Sequence, residues 1–297
     1  MKLFITGSAS FIGRELLRLC LERKIQVTGV DLLDSGSPNC LVADICSPKI
    51  SEFIPFDTDA IIHLAALSRD NDCRDQAFKC FDLNVMGTLN LIDAAKAKGV
   101  KQFIFASSEW VYDSFENGKS KSEDSFINIM SHTSEYALSK LVSEANLKQK
   151  FYQGFCPVTI LRFGIIYGPR KNNWSAVEYI FNAVATQDTL SVGSLKTGRN
   201  YIHVSDIALA LLAAIGLKGF EILNIQGDKL ITLGELIEVS KKLSGKNPKI
   251  IEKTPDEISL KDVSNKKAKK LLNWGTKIDL EDGLKSISEY LKIELKN

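Results

Sequence analysis

The chain has 297 residues, 44% of them hydrophobic and 25% charged, the proportions of an ordinary globular protein, and a formal net charge of +2 excludes strong attraction to a polyanion. Nucleic acid is therefore not an expected partner. Lys261, Lys266, Lys267, Lys269 and Lys270 cluster near the C-terminus, but Asp262 and Ser264 interrupt them and no aromatic residue interleaves, so they read as a solvated helix face. The opening Met1–Gly7 stretch is too short for a signal peptide and no later apolar run reaches spanning length, which predicts no membrane association and a cytoplasmic address. Cysteines at 20, 40, 46, 73, 80 and 156 form no Cys-x-x-Cys pair, and His63, His132 and His203 lack ligand spacing, so no metal site is expected.

In chain order, Lys2–Thr6 reads as a short apolar strand and Phe11–Arg23 as a helix through Ile12, Leu16, Leu19 and Cys20, with a second strand at Gln26–Asp31. Strands then recur at Cys40–Asp44, Ala60–Ala65, Gln102–Ser107 and Val158–Phe163, separated by helices at Val85–Lys98 and Glu135–Phe151. The alternation predicts an α/β fold, a doubly wound parallel-sheet Rossmann domain buried on both faces. After Tyr167-Gly168-Pro169-Arg170 the rhythm loosens, with helices at Trp174–Ala185 and Leu233–Leu243. A smaller C-terminal α/β substrate-binding lobe is expected there. The division is residues 1–165 for the first domain, with return segments near 200–226 that include a helix at Ser205–Ile215 and a strand at Ile222–Ile225, and 166–297 mainly for the lobe.

The turn Thr6-Gly7-Ser8-Ala9-Ser10-Phe11-Ile12-Gly13 joins the first strand to the first helix, where glycines let a pyrophosphate approach backbone amides and the positive helix end. Asp31 ends the second strand. A carboxylate there accepts from both ribose hydroxyls of NAD and repels the extra phosphate of NADP, so NAD is the expected cofactor; Asp44-Ile45 could flank the adenine. Tyr136-Ala137-Leu138-Ser139-Lys140 sets a tyrosine and a lysine four apart on one helix face, where the ammonium should lower the phenol pKa. With a hydroxyl from Ser107 or Ser108, that pair suits proton transfer to or from an alcohol whose carbon exchanges a hydride.

These pieces, in this order, resemble the extended short-chain dehydrogenase/reductase family, in particular its nucleotide-sugar epimerase and dehydratase branch. The resemblance runs almost end to end. It includes His63-Leu64-Ala65-Ala66, Asn84-Val85-Met86-Gly87-Thr88, Ser107-Ser108-Glu109-Trp110-Val111-Tyr112, Leu161-Arg162, Arg199-Asn200-Tyr201 and Asn224-Ile225-Gln226-Gly227. It implies Tyr136 as acid or base, Lys140 as ribose ligand and pKa modulator, and, counting four back from Tyr112, Ser108 as the third catalytic hydroxyl. It also implies NAD contacts from Gly7, Ser10, Phe11, Ile12, Gly13, Leu64, Ala65, Ala66, Asn84, Ser107 and Phe163, and substrate contacts from Ser108, Glu109, Trp110 and Arg199, the last on the substrate diphosphate. Asn84 could equally be a helix cap.

The departures bear on the reaction. Ser10 stands where the family motif has glycine, and could obstruct the phosphate or donate to it. Glu109-Trp110 replaces the Asp-Glu acid–base pair of sugar dehydratases, Ile165 replaces a phosphate-binding asparagine, and Asn200 an aspartate. An NAD-dependent nucleotide-sugar epimerase acting through a transient keto-sugar is the leading expectation, with Glu109 as a possible additional acid or base. A 4,6-dehydratase-like enzyme, a net dehydrogenase or reductase, and a non-enzymatic NAD-binding regulator or scaffold are the alternatives. A homodimer is implied through helices Val85–Lys98 and Glu135–Phe151, although the Leu138, Leu141, Val142 and Ala145 stripe could instead pack on the sheet.

Overall fold

The computed structural model describes residues 1–116 and 118–295. Its first elements are β1 (Lys2–Thr6), α1 (Phe11–Glu22), β2 (Gln26–Asp31), β3 (Cys40–Val42), α2 (Ile50–Phe53), β4 (Ala60–His63), α3 (Asp70–Cys73), α4 (Ala77–Phe81), α5 (Gly87–Ala97), β5 (Phe103–Ser108), α6 (Glu135–Tyr152) and β6 (Val158–Phe163). There follow β7 (Ile165–Tyr167), α7 (Ala176–Thr186), β8 (Thr189–Val192), β9 (Gly198–Arg199), β10 (Tyr201–His203), α8 (Val204–Ala213), β11 (Phe220–Ile225), β12 (Ile231–Thr232), α9 (Leu233–Ser244), β13 (Lys249–Glu252), β14 (Leu260–Lys261), α10 (Lys266–Leu272) and α11 (Leu280–Leu291).

Seven strands form one sheet in the order β11-β6-β5-β4-β1-β2-β3, and the six from β6 to β3 run parallel. Strand order reverses between β1 and β4, so the crevice beyond their carboxyl ends is where such sheets take ligands. The apolar strand runs are buried because both faces are covered. Phe4, Ile61, Phe103, Phe105 and Ile160 pack with Leu91, Ile92 and Ala95 of α5 and Leu147 of α6. The chain divides into two compact units, the first being Met1–Ser114, Ser125–Phe163 and Ala208–Leu223, the second Phe115–Asp124, Gly164–Ile207 and the chain from Asn224 onward.

Several boundaries shift by one or two residues from the periodicity, among them β4, which ends at His63, and β11, which starts at Phe220; two shifts bear on the site. β3 stops at Val42, two residues before Asp44, because Leu41 and Val42 are exposed at the sheet edge and the Asp44 carboxylate accepts from Cys46 N in a turn. The helix expected from Val85 opens as a single π-helical turn, Asp82–Met86, before α5. Asn84 lies within that turn, so it is not a helix cap.

The α6 helix turns its polar side inward. Tyr136, Ser139, Lys140, Ser143, Glu144 and Leu147 are buried, whereas Leu138, Leu141 and Val142 are half-buried and Ala145 is exposed. The apolar stripe is therefore not the buried face. In the second unit α7, α9 and α11 share a core of Val177, Phe181, Val184, Leu236, Ile237, Leu284 and Ile287. Capping boxes, Ser175 with Glu178 and Thr232 with Glu235, open α7 and α9. Of the clustered lysines, Lys266, Lys267, Lys269 and Lys270 lie on α10, but Lys261 lies on β14 and belongs to no helix face.

Candidate active site

The glycine turn is shaped by close approach. Gly7 has φ of +72°, and a Cβ there would stand 2.7 Å from Ala65 N and 2.8 Å from Leu64 C, the backbone at the end of β4. A Cβ on Gly13 would stand 2.3 Å from Gly7 O, so α1 starts hard against β1. Ser10 caps α1, its Oγ accepting from Gly13 N at 3.1 Å, with φ −68° and ψ 170°. Its backbone has no need of glycine, and its hydroxyl is engaged within the helix, with Phe11 and Ile12 as the next two residues of the opening turn. Asp31 braces the same turn, Oδ2 accepting from Ala9 N (2.9 Å) and Oδ1 from Leu33 N (3.1 Å). A cradle that any Cβ would fill, a helix opening onto it and a carboxylate at the end of β2 fit a dinucleotide. Ile45 is buried beneath α5, where a Cβ on Gly87 would stand 2.9 Å from its Cδ1. Leu64 is buried beside this turn, Ala65 and Ala66 are half-buried after it, and Phe163 is buried at the end of β6.

A buried hydrogen-bond chain leads from the turn to α6. Thr88 Oγ1 donates to Asn84 O (2.6 Å), so it accepts from His63 Nε2–H (2.9 Å); His63 Nδ1 then accepts from Thr6 Oγ1 (2.7 Å), which itself accepts from Ala65 N (3.3 Å). Burial pushes the imidazole down to about 3, which keeps the ring neutral, as this chain requires. The Asn84 side chain accepts from Leu67 N (2.8 Å) and donates to Leu67 O (3.0 Å) and to Ser139 Oγ (3.0 Å) on α6. It thereby ties the segment after β4 to α6.

Ser108 ends β5 and caps a short turn, Glu109–Val111, its Oγ accepting from Trp110 N at 3.2 Å. The same side chain lies near enough to Tyr136 to lower its pKa, and the Tyr136 side chain packs with Cys73, Cys80 and Leu67. Lys140 Nζ donates to Ala106 O at 2.9 Å and lies 4.8 Å from the Phe105 ring centroid and 5.9 Å from that of Tyr136. The expected lowering of the phenol is not what the structure shows: burial pushes Tyr136 up to about 12, partly opposed by the nearby Ser108 side chain. Burial also pushes Lys140 down to about 8. Desolvation wins because both groups are inside and the ammonium is bonded to a carbonyl rather than to the phenol.

Ser107 turns elsewhere. Its Oγ donates to Glu144 Oε1 at 2.5 Å, and Glu144 pairs bidentately with Arg162, both nearly inaccessible. Glu109 is buried rather than solvated, and Trp110 is 43% exposed. In the second unit, the Arg199 guanidinium donates to Gly198 O (2.7 Å), Ser259 O (2.6 Å) and Ser259 Oγ (3.1 Å). Asn200 Oδ1 accepts from Val263 N (2.9 Å), and Ile165 packs against the core of that unit. The first unit thus gathers the glycine turn, Asp31, Asn84, Ser108, Tyr136 and Lys140, while Arg199 belongs to the second. Sequence reasoning missed Glu144 as a site neighbour, although its i+8 spacing from Tyr136 signalled the shared face.

A switch-point sheet carrying a glycine cradle, with a serine, tyrosine and lysine beyond β5, defines a dinucleotide-dependent enzyme of Rossmann type. Residues 3–225 match the NAD dependent epimerase/dehydratase family, and the chain belongs to that family, with NAD as its cofactor. It is 26% identical to UDP-glucuronate 4-epimerase of Thermodesulfobacterium geofontis, over 97% of this chain and 95% of the relative. It is 29% identical to a putative UDP-glucose 4-epimerase of Methanocaldococcus jannaschii, over 98% of each. The crystal structure of UDP-glucuronic acid 4-epimerase from Bacillus cereus, in complex with UDP-glucuronic acid and NAD, superposes with a TM-score of 0.83 at 26% identity, covering 98% of this chain and 99% of that one.

Proposed function

We propose that this protein is an epimerase of a nucleotide sugar, a UDP-sugar by the chemistry named for its relatives, acting through a transient keto-sugar. The observation that carries this reading is the joint burial of Tyr136 and Lys140 on one face of α6, the ammonium 5.9 Å from the phenol ring centroid and the Ser108 side chain near enough to lower the phenol's pKa, at the carboxyl edge of a dinucleotide sheet. The Gly7–Gly13 turn and Asp31 would hold NAD, which would supply the hydride acceptor and donor for the sugar carbon. Tyr136 takes the proton of the sugar hydroxyl and gives it back after the sugar has turned. Ser108 Oγ orients that hydroxyl and shares the proton's path. Lys140, largely an ammonium at pH 7 with its value near 8, favours the phenolate by its charge as the proton leaves.

Glu109 and Trp110 provide no acid–base pair, which disfavours loss of water, and a dinucleotide sensor would have no use for buried proton-transfer hydroxyls. Arg199 is assigned to the substrate diphosphate. A second copy is the proposed cover for the outward face of α6 that carries Leu138, Leu141, Val142 and Ala145. The free cysteines suit a cytoplasmic address. No described helix is long and apolar enough to cross a membrane.

The test is incubation of the purified protein with UDP-, GDP-, CDP- and dTDP-sugars, reading product mass and retention. Unchanged mass at a new retention supports epimerisation. Loss of water, loss of carbon dioxide or a net change of two hydrogens would replace it with another outcome of the same oxidation.

A further inference from the structure

Tyr136, Lys140 and Glu144 lie at i, i+4 and i+8 on the buried face of α6, and Glu144 is 5% exposed. Its carboxylate is held from two strands. Ser107 Oγ on β5 donates to Oε1 at 2.5 Å, and Arg162 on β6 donates through Nε to Oε1 at 3.0 Å and through Nη2 to Oε2 at 2.7 Å. Arg162 Nη1 reaches Tyr112 OH at 3.1 Å, and the guanidinium lies 5.1 Å from that ring's centroid. An ion pair so deeply buried gives little net stability over apolar residues of the same volume, since desolvation offsets the attraction. Apolar side chains would not fix one orientation, however, whereas a bidentate pair does.

The orientation matters here because of what lies on each side. Lys140 is tied to Ala106 and Glu144 to Ser107, so two successive turns of α6 are fastened to two successive residues of β5. The next residue is Ser108, which meets Tyr136. We propose that Glu144, paired with Arg162, is a positioning residue that locks α6 in register against β5 and thereby holds the Tyr136 phenol against the Ser108 hydroxyl. The proposal rests on Tyr136 as the proton-transfer group.

Glu144 also acts on Lys140 by charge. The groups facing that ammonium are Tyr136 and Glu144 on α6, Cys73 on α3, Cys80 on α4 and His63 on β4, and Glu144 is the carboxylate among them. Removing its charge should therefore lower the Lys140 titration midpoint, which loosened packing alone would not do.

Three variants separate the contributions in the NAD-loaded protein. Glu144→Gln keeps the shape and removes the charge, Glu144→Asp keeps the charge and shortens the reach, and Ser107→Ala removes one bond and leaves the pair. Glu144→Gln is expected to lower kcat about 100-fold with KM unchanged, and to move the Lys140 midpoint, read by NMR of ε-labelled lysine, below its value near 8. Glu144→Asp should recover part of kcat. Ser107→Ala should lower kcat less, with the Lys140 midpoint retained. An unchanged midpoint and unchanged kcat in Glu144→Gln would overturn the proposal, as would a kcat loss that tracks only a fall in Tm. If Glu144→Gln does not fold, wild-type kcat in folded Ser107→Ala or Glu144→Asp overturns it equally. If the wild-type protein turns over no nucleotide sugar, the functional reading fails, while the Lys140 midpoint in Glu144→Gln still decides this one.

Discussion

Replacing Ser10 tests how this chain accommodates a side chain where its family has glycine. Ser10 Oγ accepts from Gly13 N at 3.1 Å, and its backbone, at φ −68° and ψ 170°, suits any residue. Ser10→Ala leaves an opening amide of α1 without its cap, which should destabilise the protein by about 1 kcal/mol. Ser10→Gly should cost only a few tenths by loss of the cap, rising toward about 1 kcal/mol with the extra freedom of the unfolded chain. Because the hydroxyl is engaged inside the helix, neither change should shift the NAD dissociation constant tenfold, the equivalent of about 1.4 kcal/mol. Urea unfolding and calorimetric titration of NAD into stripped protein read the two effects separately. Tenfold tighter NAD binding by Ser10→Gly would mean that the side chain obstructs the phosphate. Tenfold weaker binding by Ser10→Ala, at unchanged stability, would mean that it is a direct ligand. Either result refutes the capping argument.

Tyr136→Phe deletes the hydroxyl that meets Ser108, so turnover should fall by about 10²–10⁴-fold while NAD titrates as in the wild type; near-normal turnover removes Tyr136 from the chemistry. Thr88→Val leaves His63 Nε2–H without its acceptor, whereas Asn84 O keeps Ser143 Oγ at 3.0 Å. Urea unfolding should show a loss of about 1–3 kcal/mol, and a loss well under that range contradicts the assigned chain. His63 titrates near 3 when folded and at 6.5 in its ordinary state, so between these values the unfolded chain holds a proton that the native protein does not. Stability should therefore fall as pH drops from 6.5 toward 3, by at most about 1.4 kcal/mol per unit from this residue. A His63→Gln variant should show a shallower decline, and an identical slope would contradict the buried neutral imidazole.

Alternation of short apolar strands with amphipathic helices is a local signal, and it carried the doubly wound sheet, the place of the Gly7–Gly13 turn and the pairing of Tyr136 with Lys140 on one face. Choosing Ser108 over Ser107 required the family register as well, and the structure gives the physical distinction: one hydroxyl meets Tyr136, the other Glu144. Asn84 was legible only as a family NAD contact or a helix cap, because a π-helical turn leaves no clear periodic mark, and its bonds to Leu67 and Ser139 come from tertiary structure.

Sequence by itself therefore determined which residues share an element and a face, since backbone geometry repeats every few residues whatever the surroundings. Tertiary structure alone decided which face of α6 turns inward, that Arg162 partners Glu144 18 residues away, and that burial raises the Tyr136 phenol despite the nearby lysine. Those outcomes depend on desolvation and on contacts between separate elements. Neither is encoded in spacing along the chain: the same Tyr-x-x-x-Lys pattern in water would lower the phenol that this protein's interior raises.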